Sequence, residues 1–344
     1  MKSMTLKSLC FFFVFNLLNL PVHCQTIGDF KRVDTLMWLL QHNDKYMGSV
    51  AVSDGEKLVY SKAFGFSDIE KQIQATTNTT YRIGSVTKMF TSVMIYQLFE
   101  ENKLRPDTRL SDFYPDIQNA DKITIHDMLL HRSGIRSVTD DSLYLEWCVQ
   151  PRSHAEIVSM ITSYQPVFQP DEKSEYSNSN FILLGYILEN LTGKDYSSNL
   201  EERICRRAGL KNTYYGSASN TLKNESYSYT FSVTGWLKEN ETDMSIPHGA
   251  GAVVSTAEDM VIFADALFAG KLISESSLQD MTKTEGSFGK GIFPMPFYEM
   301  KGFGHTGGID GFRSVLIHFP SENLSLALCS NALNYNQNEI LIGL

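Results

Sequence analysis

Cysteine is scarce in this 344-residue chain, with five in all. Cys10 and Cys24 fall in the N-terminal segment, leaving Cys148, Cys205 and Cys329, an odd number at wide spacing. That pattern excludes a disulfide framework. Metal-binding signatures are missing as well. There is no HExxH, no CxxC and no run of clustered His and Asp, and the histidines are scattered from His23 to His318. Neither a metal site nor a cofactor is expected on these grounds. Positive charge is in deficit, 30 Lys and Arg against 39 Asp and Glu, for a net charge of −9 and a pI near 5.4. An acidic balance of this kind argues against nucleic acid as a partner. Long apolar runs are lacking too. Leu9–Leu20 is shorter than the roughly 20 residues that span a bilayer, and no other stretch is long and apolar enough to do so.

What is present begins with that short run. Lys2 and Lys7 precede it, and Pro21, Val22 and Cys24 follow it. A basic start, a short apolar centre and a break read as a secretory signal over residues 1–24, with a periplasmic or secreted product and no stable membrane insertion after cleavage. Hydrophobic residues make up 42% of the chain, enough for a substantial core in the remaining 25–344.

Met47–Val52 and Leu58–Phe66 are two strand-like runs around Asp54-Gly55, which predicts a β-hairpin. Phe312–Phe319 and Leu324–Cys329 predict a second one at the other end of the chain. Helical spacing marks Met89–Leu104, starting at or near Ser85, and Asn180–Leu191, with Gly193 placed as a C-cap. Thr124–Leu130 reads as a short helix, and Ser255 with Glu258 has capping-box spacing ahead of another. Ser217–Ser228 reads as a polar loop. The fold class expected is mixed α/β (α+β). An antiparallel sheet is built from both chain ends and flanked by helices, with a mainly helical subdomain over about 101–246 inserted between the halves.

Chemistry gathers at three places. Ser85-Val86-Thr87-Lys88 puts a serine and a lysine almost one helical turn apart, on one face. Serine needs a nearby base to act as a nucleophile, and a buried lysine one turn away is a candidate. Tyr176-Ser177-Asn178 precedes the Asn180 helix, and His305-Thr306-Gly307-Gly308 precedes the strand that carries Phe312. Each has a plain structural reading by itself: a capping serine, a boundary tyrosine with a capping asparagine, a strand entry with glycines. Their joint occurrence in this order favours a catalytic set.

In that order the motifs resemble those of the penicillin-recognising serine hydrolases, in the branch of class C β-lactamases, D-alanyl-D-alanine carboxypeptidases and related esterases. Tyr81-Arg82-Ile83-Gly84, Met128–Gly134, Gly249-Ala250-Gly251 and Gly304–Gly308 with Gly311-Phe312 extend the likeness over about Lys45 to Asn331. Tyr-x-Asn points to the class C branch, and His305 in place of lysine resembles its carboxypeptidase and esterase members.

The resemblance implies a β-lactamase/transpeptidase-like fold and a hydrolase whose acyl-enzyme forms on Ser85. Lys88 and Tyr176 are the two candidate bases, with Tyr176 favoured as the proton relay and Lys88 tuning it. His305, if protonated, would add a second cation and help bind a carboxylate. Asn178, His305, Thr306, Gly307 and Gly308 bind substrate, with the backbone N–H groups of Ser85 and Gly308 as oxyanion donors. His131 is expected to be structural, and Arg313 is either a substrate-carboxylate partner or a surface residue. The substrate expected is a small molecule or peptide: a D-Ala peptide first, with a β-lactam or an ester as alternatives. A non-catalytic penicillin-binding or sensor protein is the alternative from a different class.

Overall fold

The computed structural model describes residues 30–344, so the signal-like segment lies outside the described residues. Helix α1 (Lys31–His42) leads into strand β1 (Tyr46–Asp54), which turns through Gly55 and Glu56 into β2 (Lys57–Phe64). Both turn residues have positive φ, 60° and 64°, the two-residue geometry that matches the twist of a hairpin. Helices α2 (Thr87–Glu100), α3 (Asn178–Thr192) and α4 (Ala257–Phe268) follow. Strands β3 (Phe303–Ile309), β4 (Phe312–Phe319) and β5 (Leu324–Leu333) complete the chain's larger elements, before a terminal helix over Gln337–Gly343.

The sheet runs Phe293–Pro294, β3, β4, β5, β1, β2, with every one of these neighbours antiparallel. The expected joining of the two chain ends is the β1–β5 pairing, with Val50 opposite Leu328. β1 is buried from Tyr46 to Ser53, because both faces are covered. On one face α1 and the terminal helix pack Met37 and Ile340 against Val50 and Leu328. On the other, Ala51, Ala327 and Cys329 meet the large core that contains Phe90 of α2 and Phe263 of α4, whose rings stack at 3.8 Å. Full burial of each such phenylalanine contributes about 1.5–3 kcal/mol.

α2 is buried from Thr87 to Leu98 on every side, and α3 from Ser179 to Leu188. Their apolar residues recur at helical spacing, but neither helix has the polar stripe of one with a solvated face. Gly193 closes α3 in the left-handed conformation, as its position predicts.

Three details depart from expectation. The helix at 257 is capped by Thr256, whose hydroxyl accepts from the Asp259 N–H, while Ser255 ends a short strand over Val253–Ser255. Serine and threonine are both good caps, and the pair differ by one residue. Second, Tyr229–Ser232 and Gly235–Lys238 form a hairpin that joins the main sheet through Tyr229, opposite Ala332 of β5. Thr230, Phe231, Leu237 and Lys238 are exposed, so no two-sided alternation marks these strands. Third, His305–Gly308 lies ahead of the Phe312 strand as expected, but on a strand of its own, β3, that pairs with it.

Candidate active site

The position of Ser85 is built by one turn. Tyr81–Arg82 pairs with Val254 and Ser255, and the chain then enters a single 3₁₀ turn, Gly84–Val86, that opens α2. Gly84 has φ +50°, and a Cβ there would stand 2.8 Å from Gly308 N. The turn bearing Ser85 is therefore seated directly against β3. Gly307 serves the same approach, since a Cβ on it would lie 2.0 Å from Ile83 O. Gly308 is different: a Cβ would meet only Arg313, at 3.5 Å or more. Its bare backbone faces a cleft of about 680 Å³ that Ser85, Asn178 and Arg313 also line.

Buried Arg82 anchors this arrangement from beneath. It donates to Asp310 Oδ2 at 3.0 Å, to Thr242 O at 2.7 Å and to Ser217 O at 3.1 Å. Asp310 is two residues beyond Gly308, so the ion pair ties the approach to Ser85 to the end of the motif strand.

Ser85, Lys88 and Tyr176 meet. Lys88 Nζ stands 3.0 Å from Ser85 Oγ, and Tyr176 Oη donates to the same Oγ at 2.7 Å. Lys88 is fully buried, and its amine also lies 2.8 Å from both Asn178 Oδ1 and Ala250 O. No carboxylate pairs with it among the described salt bridges. Burial without a counter-charge pushes the amine well below the ordinary lysine range. A neutral amine has two N–H donors and one lone pair. Asn178 Oδ1 and Ala250 O can only accept, so they take both donors, and the lone pair is left for the Ser85 hydroxyl. Burial pushes the Tyr176 phenol up, although its bond to Ser85 works the other way. Tyr176 is thus held as a protonated donor.

Asn178 is the first residue of α3, where its side chain is spent on orientation rather than capping. Its Nδ2 donates to Thr139 Oγ1 at 3.0 Å and its backbone N–H to Ser137 Oγ at 3.1 Å. His131, at φ +55°, fixes the loop before it. Its Nδ1 accepts from Ser177 N at 3.1 Å and its ring packs 4.5 Å from that of Tyr176. The structural reading of His131 fits these contacts.

His305 requires a correction. It and Gly307 point to the buried side of β3, while Thr306 and Gly308 are exposed. The His305 ring stacks on Phe293 at 4.0 Å, and its Nδ1 donates to Thr306 O at 2.6 Å. Burial, with Lys88 nearby, lowers it to about 3. His305 is neutral, so it supplies neither a second cation nor a partner for a carboxylate. The cation at the cleft is Arg313, whose Nη1 is held by Phe312 O and Asp310 O at 2.7 and 3.1 Å.

Four site elements had gone unread: Ala250 O, Ser137, Thr139 and the Arg82–Asp310 pair. Gly249-Ala250-Gly251 and Arg82 were visible as parts of the resemblance, but a backbone carbonyl leaves no side-chain signature.

The Beta-lactamase family profile matches residues 40–341. A Teichoic acid D-alanine hydrolase of Staphylococcus aureus strain MRSA252 is 28% identical over 248 residues, which is 72% of this chain and 57% of that protein. The chain thus spans somewhat over half the length of that relative. Among solved structures, the D-amino acid amidase of Ochrobactrum anthropi SV3 with D-phenylalanine superposes at a TM-score of 0.82, with 23% identity, over 91% of this chain and 96% of that one. The D-stereospecific amidohydrolase of a Streptomyces species gives 0.77 and 24% over 92% and 98%. With its matched span, its sheet and its motif order, the chain belongs to the Beta-lactamase family of serine hydrolases.

Proposed function

We propose that this chain hydrolyses D-amino-acid esters or amides, D-alanyl ones foremost, through an acyl-enzyme on Ser85. The observation that carries the reading is Ser85 Oγ standing between a buried, uncompensated Lys88 amine and the Tyr176 hydroxyl. Lys88 Nζ takes the Ser85 proton as Oγ attacks the acyl carbon. The oxyanion forms against the N–H groups of Ser85 and Gly308. Tyr176 donates toward Oγ and passes a proton to the departing alcohol or amine, replaced in turn from Lys88. Water then attacks the acyl carbon as Lys88 Nζ takes its proton, and Lys88 returns that proton to Ser85 Oγ as the acid leaves.

The D-amino-acid preference is supported by the D-alanine hydrolase of S. aureus and by the structurally similar D-amino acid amidase and D-stereospecific amidohydrolase. Neutral His305 offers no charge to the carboxylate that a carboxypeptidase substrate or a β-lactam brings, which leaves Arg313 as the cleft residue able to pair with one. A carboxylesterase without stereochemical preference is the second reading, because the cleft is walled by Val138, Leu145, Val149 and Ile182 as well as by polar groups. Along β3 beyond Gly304 no strand pairs with the outer edge among the described residues, which leaves backbone groups for an extended acyl donor. Residues 1–24 support secretion or a periplasmic location, and among the described residues no helix is long and apolar enough to cross a membrane.

The test is turnover of the methyl ester and the p-nitroanilide of D-alanine against their L-forms. Faster hydrolysis of the D-forms, abolished in Ser85→Ala, is expected. Equal rates for both enantiomers would leave the esterase reading in its place.

A further inference from the structure

Three residues far apart in sequence meet behind the nucleophile. His154 opens the helix His154–Ser163, Glu189 lies near the end of α3, and His248 begins the turn His248–Gly251. Glu189 Oε2 stands 3.5 Å from His154 Nδ1 and 3.5 Å from His248 Nε2. All three ligand atoms lie within 4.8 Å of one another. Around a tetrahedral zinc ion with bonds of about 2.0–2.1 Å, ligand atoms stand about 3.3 Å apart.

The hydrogen-bond pattern indicates what belongs between them. Tyr215 Oη donates to Met244 O at 2.8 Å, a carbonyl that can only accept. At its 3.1 Å contact with His248 Nδ1, Tyr215 Oη must therefore be the acceptor, and Nδ1 carries the ring proton. This leaves His248 Nε2 as a bare lone pair. It is buried, makes no hydrogen bond, and faces the Glu189 carboxylate. The other Glu189 oxygen, Oε1, is occupied by the Tyr196 N–H at 2.7 Å. A lone pair aimed at a carboxylate oxygen inside a protein is repulsive unless a cation lies between them.

Other features fit the same reading. A metal-ligating histidine typically gives its second ring N–H to an oxygen, as His248 does to Tyr215. His248 sits at φ +37°, a strained position for a residue with a side chain. Gly185 leaves room for its ring, since a Cβ there would approach His248 Cδ2 to 3.0 Å. His154 is more than half exposed and supplies an entrance from solvent.

We propose that His154, Glu189 and His248 form a site for one divalent transition-metal ion of zinc type, with water completing the shell. Two imidazoles and a carboxylate suit such an ion better than calcium or magnesium, which prefer oxygen ligands alone. The ion is separate from the hydrolytic step. It fixes the turn whose Ala250 O accepts from Lys88, and so has a positioning role.

Full-length protein dialysed against a chelator is titrated with zinc chloride by calorimetry and with cobalt(II) chloride by visible absorption. One equivalent bound per chain, with tetrahedral cobalt bands and a raised Tm, is expected. His154→Ala, at an exposed position, and Glu189→Gln, of the same shape, should each weaken binding by more than the roughly 10–100-fold that loss of an outer-shell partner costs. Absence of binding by the wild type overturns the proposal. So does binding unchanged in both variants, which places the ion elsewhere. An imidazole spectrum showing His248 charged at neutral pH in metal-free protein would overturn it too, by identifying a proton as the cation.

Discussion

Replacing Tyr176 by phenylalanine removes one oxygen atom and leaves the ring packed 4.5 Å from His131. That oxygen makes a 2.7 Å bond to Ser85 Oγ, which is half-buried and can be reached by water in the variant. The folded state should therefore lose about 1 kcal/mol or less, the usual net worth of one hydrogen bond. The chemical cost is larger, because the bond strengthens as charge develops on Oγ. Loss of one aimed donor of this kind lowers the rate about 10²–10³-fold, or about 2.7–4 kcal/mol. The assay is the burst phase of a chromogenic ester, followed across pH in wild type and variant. Catalysis needs Lys88 neutral, so kcat/KM should rise with pH through the Lys88 pKa, which burial holds below its ordinary 10.5. That limb should persist in Tyr176→Phe at a lower plateau. Disappearance of the limb would make tyrosinate the base, and a near-wild-type rate would remove Tyr176 from the mechanism.

Other variants probe the supports of the site. Gly84→Ala forces a Cβ to 2.8 Å from Gly308 N at a positive φ, so it should lose most activity and at least about 1–2 kcal/mol of stability by urea titration. Arg82→Ala leaves Asp310 buried and unpaired and should cost roughly 3–5 kcal/mol in the same assay, where a change under 1 kcal/mol would contradict the anchoring role. His305 has a folded-state value of about 3 against 6.5 ordinarily, so the unfolded chain binds its proton first on acidification. Its contribution is complete above pH 6.5 and is lost as pH falls toward 3, on the order of 5 kcal/mol across that window. Chemical denaturation at stepped pH should show a shallower loss in His305→Gln.

The sequence carried the parts of this molecule whose signal is a side chain at a fixed spacing. Ser85 with Lys88, Tyr176 with Asn178, and the hairpins at both ends could be read directly, because a helical turn and a strand each impose a period. Environment could not be read. His305 looked like a source of charge, yet its neighbours Phe293 and Lys88 and its full burial keep it neutral, and burial is a property of the folded chain. For the same reason Lys88, not Tyr176, emerges with the free lone pair. Ala250 contributes a carbonyl, which every residue has. The His154, Glu189 and His248 grouping has no local spacing at all, so histidines that look scattered along the chain converge only when α3 packs against its neighbours. The hairpin at Tyr229 escaped because its exposed residues lack a buried face.

The central claim is that Ser85 becomes acylated with Lys88 as the acceptor of its proton. Intact-mass spectrometry after brief incubation with a fluorophosphonate, or with a slowly released D-alanyl ester, tests it most directly. One adduct per chain on the wild type, absent in Ser85→Ala and formed far more slowly in Lys88→Ala, is the result predicted. An adduct that persists in Ser85→Ala, or that forms at the wild-type rate in Lys88→Ala, would contradict it.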